Sequence, residues 1–131
     1  MDPRLHTLLR AYLNAVDEAA HVLLRAGLRR PTSPRDWYES PGPTRSDVVP
    51  GWRIRKHTCG AVVTGPEGAV DLAFGDHGEL DGLDLARVAA FWRARPDRAA
   101  FADERELLRA WEAAVRSGAL TPDGPGRHRL A

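Results

Sequence analysis

The stretch GWRIRKHTCGAVVTGPEGAVDLAF (residues 51–74) is the strongest indication of the fold, because it contains three short runs of β-forming residues separated by glycine. The runs and the turns between them are, in order, GWRIRKHTC (51–59), Gly60, AVVT (61–64), GPEG (65–68) and AVDLAF (69–74). Glycine and proline at this spacing are typical of tight turns between antiparallel strands. The stretch therefore predicts a three-stranded antiparallel meander.

Alternation along these strands predicts one apolar and one polar face of the sheet, because successive side chains point to opposite sides of a strand. The apolar face is expected to carry Trp52, Ile54, Val70, Leu72 and Phe74. The opposite face is expected to carry Arg53, Arg55, His57, Cys59, Asp71 and Ala73.

Upstream of the meander, the chain predicts a helix. Asp2 is a suitable N-cap and Pro3 suits the first helical position, where its missing N–H costs nothing. Apolar residues then recur at three- and four-residue spacing from Leu5 to Leu24, and Gly27 ends the pattern.

Downstream, two shorter helices are predicted. LDLARVAAFWRARP (83–96) places apolar residues on one stripe, and Pro96 ends it. Asp97 is then expected to cap a last helix through about Ser117, which Gly118 ends. Its inward side chains are expected to be Phe101, Leu108, Trp111 and Val115.

This order predicts an α+β fold with an N-terminal helix, the meander, and two C-terminal helices packed on one face of the sheet. We expect a single domain over residues 1–118 and a flexible tail over residues 119–131. Residues 29–50 contain five prolines and no sustained period, so they are predicted to form a long loop.

Composition excludes several classes of protein. The 131 residues carry a net charge of +1, which gives no overall field that would favour nucleic acid or a membrane surface. One cysteine permits neither an intrachain disulfide nor a cysteine-rich zinc site. No apolar run reaches the ~20 residues that a membrane span requires. We expect a cytoplasmic protein that binds neither nucleic acid nor a membrane.

The acidic stretch DLAFGDHGELDGLD (71–84) is the first candidate site, because it holds five acids and His77 but no lysine or arginine. Its spacing does not match an EF-hand loop, so no metal is expected. Asp81 or Asp84 suits the N-cap of the next helix, and Asp76 suits a turn. Asp71 is unusual in the middle of a strand, where it is expected to be solvated, to pair with Arg53 or Arg55, or to belong to a site.

His57 and Cys59 are the second candidate. A neighbouring imidazole can activate a thiolate nucleophile, but residues two apart on a strand lie roughly 7 Å from each other. Zinc ligation by His57, Cys59, His77 and an aspartate lacks the paired spacing of known zinc sites. No cofactor or metal is therefore expected, and His57 with Asp71 is the more plausible acid–base pair.

The stretch KHTCGAVVTGPEGAVDLAFGDHGELDGLDLARVAAFW (56–92) resembles the core of a family of small uncharacterised bacterial domains. The resemblance rests on His57, Gly60, Val70, Asp71, Leu72, Phe74, Gly75, Asp76, Gly82 and Asp84. Thr58, Ala73 and Leu83 depart from the family pattern, which has a glycine, an acid and an aromatic residue there. Such domains are similar in size and style to immunity proteins, so the resemblance implies binding to a cognate toxin.

Two hypotheses follow from the sequence. In the first, a non-enzymatic domain binds another protein, such as a cognate toxin or the product of a neighbouring gene. Its contacts would be Arg53, Arg55, Asp71, Asp76 and His77, with Trp37 and Tyr38 as aromatic anchors. In the second, a small-molecule enzyme or binding protein of bacterial secondary metabolism uses His57 and Asp71 for acid–base chemistry.

Overall fold

The computed structural model describes residues 1–27, 49–57, 60–73 and 82–131. Its elements are, in chain order, helix α1 (Pro3–Arg25), strands β1 (Arg53–His57), β2 (Gly60–Gly65) and β3 (Gly68–Ala73), helix α2 (Leu85–Ala94), a 3-10 turn (Pro96–Arg98), helix α3 (Glu104–Ser117), and strands β4 (Leu120–Pro122) and β5 (His128–Leu130). The predicted α+β class is confirmed. The predictions for the loop up to residue 48 and for Trp37, Tyr38, Cys59, Asp76 and His77 lie outside the described residues.

The described chain forms two compact units. One contains residues 1–14 and 81–131, and the other contains residues 15–80. Helix α1 therefore contributes residues to both units, the sheet β1–β3 belongs to the second, and α2, α3, β4 and β5 belong to the first. Among the described helices, none is long and apolar enough to cross a membrane.

Helix α1 begins where the sequence predicts. The Asp2 carboxylate accepts a hydrogen bond of 2.8 Å from the Arg4 backbone N–H, which satisfies one of the unpaired donors of the first turn. One stripe of the helix is buried, and its members are Leu5, Leu8, Leu9, Tyr12, Val16, Ala19, Val22 and Leu23. The chain leaves the helix through Gly27, whose φ of 80° suits a residue without a Cβ.

The meander is confirmed with antiparallel register throughout. Arg55 pairs with Val62, and Val62 pairs in turn with Asp71, so β2 is the central strand of the three. Pro66 and Glu67 form the two-residue turn between β2 and β3, which Gly65 and Gly68 close as a pair. Gly60 is the first residue of β2 rather than a turn residue, and β1 begins at Arg53 rather than at residue 51.

Helix α2 is positioned by its cap. The Asp84 carboxylate accepts a hydrogen bond of 3.1 Å from the Arg87 backbone N–H, which confirms Asp84 as the N-cap. Val88, Ala89, Phe91 and Trp92 form its buried side, and the helix ends at Ala94, just before Pro96. The Trp92 indole lies edge-on to Phe101 at 6.3 Å between ring centroids.

The start predicted for the last helix is wrong. Asp97 lies in the 3-10 turn, and α3 is capped instead by Asp103, whose carboxylate accepts from the Glu106 backbone N–H at 2.9 Å. Glu106 in turn accepts from the Ala102 N–H, which completes an arrangement close to a capping box. Asp103 rather than Asp97 forms the N-cap because Asp103 is followed three residues later by a glutamate, whereas Asp97 is not.

Two of the side chains predicted to point inward from α3 are also exposed. Leu108 and Val115 are 40% and 36% exposed, whereas Leu107, Ala110, Trp111 and Ala114 are buried. At about 100° per residue, Leu108 and Val115 lie roughly a quarter turn from this buried stripe. The helix ends as predicted at Gly118, whose φ is 79°.

Residues 119–131, predicted as a flexible tail, contain the paired strands β4 and β5. His128 also bonds to Leu83 through both backbone groups, at 2.7 and 2.9 Å. The Trp111 ring lies edge-on to the His128 imidazole at 5.6 Å. The sequence did not predict this second sheet.

Candidate functional site

The sheet β1–β3 has one buried and one exposed face, as its alternation predicts. Ile54, Ala61, Val63, Val70 and Leu72 are buried on one side. We call the opposite side the polar sheet face; its described side chains are Arg53, Arg55, His57, Val62, Thr64, Ala69 and Asp71. Polar groups on this face need no buried partner because water reaches them.

A hydrogen bond crosses this face from one edge strand to the other. His57 Nε2 on β1 lies 2.8 Å from Asp71 Oδ1 on β3, and the two side chains are 34% and 48% exposed. Strands lie about 4.8 Å apart, so the two side chains span roughly 10 Å over the central strand. Gly60, which pairs directly with His57, has no side chain in the way. The glycine thus leaves room for the imidazole to lean over β2.

This hydrogen bond identifies the partner of Asp71, an unusual residue for the middle of a strand. Of the three alternatives for Asp71, pairing with Arg53 or Arg55 is wrong: among the described ion pairs its carboxylate contacts His57 and neither arginine, and it is 48% exposed. Both arginines are exposed, and within the described part of the chain neither has an ion-pair partner. Among the described residues, no carboxylate lies within ion-pair distance of the two guanidinium groups at the β1 edge of the polar sheet face.

A histidine–carboxylate pair of this kind can do two things. It fixes the orientation of the imidazole, because the carboxylate accepts from the Nε2–H group. It also places an imidazole, a side chain that general acid–base catalysis often uses, on a face that water reaches. The pair can therefore belong to an acid–base centre or to a hydrogen-bonding interface.

A profile of a family described as a domain of unknown function, DUF6896, matches residues 5–129. The chain belongs to DUF6896. The match extends well beyond the resembling stretch, residues 56–92, and includes most of α1, the meander, α2, α3, β4 and most of β5. No curated protein and no solved structure matches the chain significantly.

Several predicted contacts of this DUF6896 domain stay predictions. Asp76, His77, Trp37, Tyr38 and Cys59 lie outside the described residues, so their places relative to the polar sheet face are not defined. The structure brings together Arg53, Arg55, His57 and Asp71 on that face. Within the described ranges, no group of three or more His, Cys, Asp or Glu side chains is arranged to hold a metal ion.

The sequence did not predict a cavity of about 530 Å³ beside α2 and α3. Ala89, Leu107 and Leu108 contribute apolar walls, and Arg93 and Glu104 also line it, joined by an ion pair of 3.4 Å. Exposed Leu108, next to buried Leu107, is the sequence signal that could have indicated an apolar surface here. His57 and Asp71 do not line this cavity.

A separate ionic cluster ties the start of α1 to α3. Arg4 pairs with Asp2 at 2.8 Å and with Glu106, and its guanidinium lies 4.7 Å from the Phe101 ring centroid. Hydrogen bonding to Arg4 lowers the pKa of Asp2 and of Glu106 below their ordinary values of 3.8 and 4.5. The same bonds raise the pKa of Arg4. We expect this cluster to stabilise the unit that contains the start of α1 and α3.

Replacing Arg4 by glutamine is expected to lower the melting temperature at neutral pH. The difference in melting temperature between the variant and the wild type should be smaller at acid pH. A carboxylate whose folded-state pKa is depressed stabilises the protein above its unfolded pKa, and this stabilisation is lost as pH falls through the folded-state value. The difference between the two proteins should therefore narrow below about pH 4.5. Thermal unfolding followed by circular dichroism across this range would measure it.

Arg105→Gln is the matched control, because it removes the same charge from an exposed position on α3. Its melting temperature should follow that of the wild type at every pH. A difference between Arg4→Gln and the wild type that stayed constant down to acid pH would contradict the role assigned to the ion pairs.

Proposed function

We propose that this DUF6896 domain binds another protein through its polar sheet face. The observation that carries the proposal is the pair of exposed arginines, Arg53 and Arg55, beside the His57–Asp71 hydrogen bond. Guanidinium groups that have no partner in the described chain are available for charge-assisted hydrogen bonds to another molecule. Arginine is also enriched among the residues that dominate protein interfaces.

The partner we propose is the product of a neighbouring gene, such as a toxin that this domain would inhibit as an immunity protein. The support is the small size of the domain and its likeness in style to immunity proteins. Frequent arginine, alanine and glycine, with few lysines, are typical of bacterial chains from GC-rich genomes, so we also propose a bacterial cytoplasmic location.

Co-purification tests the proposal. The tagged domain is co-expressed with the neighbouring gene product, and a stoichiometric complex is the expected result. Combining Arg53→Ala, Arg55→Ala and Asp71→Ala should abolish the complex, because these changes remove both guanidinium groups and the partner of His57.

The matched control combines Arg109→Ala, Glu112→Ala and Arg116→Ala, which removes the same charges from exposed positions on α3. This variant should retain the complex. Equal loss of the complex in both variants would contradict the placement of the interface on the polar sheet face.

A second candidate function is acid–base chemistry on a small molecule, and the observation that favours it is the 2.8 Å contact of His57 with Asp71. In this case Asp71 would orient the imidazole, and His57 would transfer the proton. The same co-purification separates the two candidates. A stable, monomeric protein that forms no complex would favour the enzyme and would direct the search to metabolites.

A further inference from the structure

We infer that the partner of the polar sheet face presents an acidic, extended segment whose carboxylates recur at every second residue. The inference rests on the proposed function and names the chemistry of the partner. It is carried by the arrangement of Arg53 and Arg55 on strand β1.

The charges on the face are unevenly distributed. On this face, strand β1 contributes Arg53, Arg55 and His57. The central strand β2 contributes only Gly60 and the neutral side chains of Val62 and Thr64. Asp71, on the far strand, is the one described acid of this face, and it is engaged with His57. The arginines therefore form a positive edge that no acid in the described part of the chain neutralises, and a negatively charged partner is complementary to it.

The spacing of the arginines selects the shape of that partner. Residues two apart on a strand are separated by about 6.7 Å and point to the same side. An extended segment lying along β1 repeats its own side chains at the same distance, so acids at alternate positions can meet both guanidinium groups at once. Each contact would be a charge-assisted hydrogen bond, and a carboxylate can accept both bonds of a guanidinium fork.

The sheet geometry favours this approach. Within the described part of the sheet, β1 is an edge strand with β2 as its neighbour. The neighbouring positions on the face are Val62 and Thr64, which are too short to keep a second chain away from the arginines. Extended segments that lie along edge strands are a recurring mode of peptide recognition.

Binding of two labelled peptides to the full chain tests the inference. One is an alternating glutamate–threonine peptide of about 12 residues, long enough to exceed a typical strand. The other has the same composition with its glutamates in one block. Fluorescence anisotropy should show the alternating peptide binding at least about tenfold more tightly, because only its acids match both arginines. Surface charge alone would favour the block, whose charge density is higher.

Variants distinguish a local effect from a change in net charge. Combining Arg53→Gln with Arg55→Gln should weaken binding of the alternating peptide by about tenfold or more. Arg109→Gln with Arg116→Gln removes the same charge from exposed positions on α3 and should leave the affinity unchanged. No binding by the wild type, preference for the block peptide, or equal loss in both variants would overturn the inference.

The same variants in the co-purification separate this inference from the proposed function. A complex with the neighbouring gene product that survives Arg53→Gln with Arg55→Gln would overturn the acidic-segment inference but leave protein binding standing. Selective binding of the alternating peptide without any complex would support the inference and reject that gene product as the partner.

Discussion

Replacing Trp92 by alanine is expected to lower the free energy of unfolding by about 3–5 kcal/mol, the usual cost of truncating a buried tryptophan. The indole is 6% exposed and lies edge-on to Phe101. Its Nε1–H donates a hydrogen bond of 3.2 Å to the Ala99 carbonyl, which ties α2 to the segment after the 3-10 turn. Alanine would leave a cavity and would remove one of the two hydrogen bonds that the Ala99 carbonyl accepts, the other coming from the Phe101 backbone N–H at 2.8 Å. Urea denaturation followed by circular dichroism measures the loss.

Trp92→Phe is the control, because it keeps an aromatic ring and removes the donor. It should lower the free energy of unfolding clearly less than alanine does. The lost hydrogen bond contributes about 1 kcal/mol, and the cavity that remains is smaller. The phenylalanine variant also keeps the prediction testable if the alanine variant does not fold. An alanine variant within about 1 kcal/mol of the wild type would show that Trp92 is not a core residue.

Replacing Gly65 by alanine is expected to destabilise the sheet by about 1–3 kcal/mol, the usual cost of overpacking. A Cβ at this position would lie 2.3 Å from Cζ3 and 2.5 Å from Cε3 of the Trp52 ring, which no stable packing permits. The ring or the strand would have to move. Backbone preference alone would make Gly65→Ala stabilising, because a strand that contains glycine is less stable than one with alanine by about 0.5–1 kcal/mol.

A double-mutant cycle with Trp52→Ala tests the cause of this effect. Removing the ring removes the obstacle, so Gly65→Ala in the Trp52→Ala background should be neutral or stabilising. The coupling energy from urea denaturation of the four proteins gives the answer directly. If Gly65→Ala costs the same with and without the indole, the contact does not explain why residue 65 is glycine.

The proposed interface and this packing lie on opposite faces of the same sheet. Trp52 shares its side with Ile54, whereas Arg53 and Arg55 point to the polar sheet face. Changes at the arginines should therefore affect binding with little effect on stability, and Gly65→Ala should do the reverse. This separation allows loss of the partner to be distinguished from loss of the fold.

Most of the local structure of this protein can be predicted from residue type and spacing. Asp2 and Asp84 cap their helices, Gly27 and Gly118 end them, and the alternation in residues 51–74 gives the strands and their faces. These features depend on neighbours a few residues away, so residue type and spacing are enough to predict them. The start of α3 was mispredicted although its signal, the Asp103–Glu106 spacing, is present in the sequence.

Contacts between groups that are far apart in the chain could not be predicted in this way and are seen in the folded structure alone. His57 and Asp71 are 14 residues apart and join across the central strand because the register brings them near and Gly60 leaves space. From the sequence, Arg53, Arg55 and His57 were all possible partners of Asp71, and residue spacing alone does not distinguish between them. Pairing of His128 with Leu83 likewise depends on packing between segments far apart in the chain. Long-range partners depend on the folded geometry of the backbone, and residue spacing along the chain does not encode it.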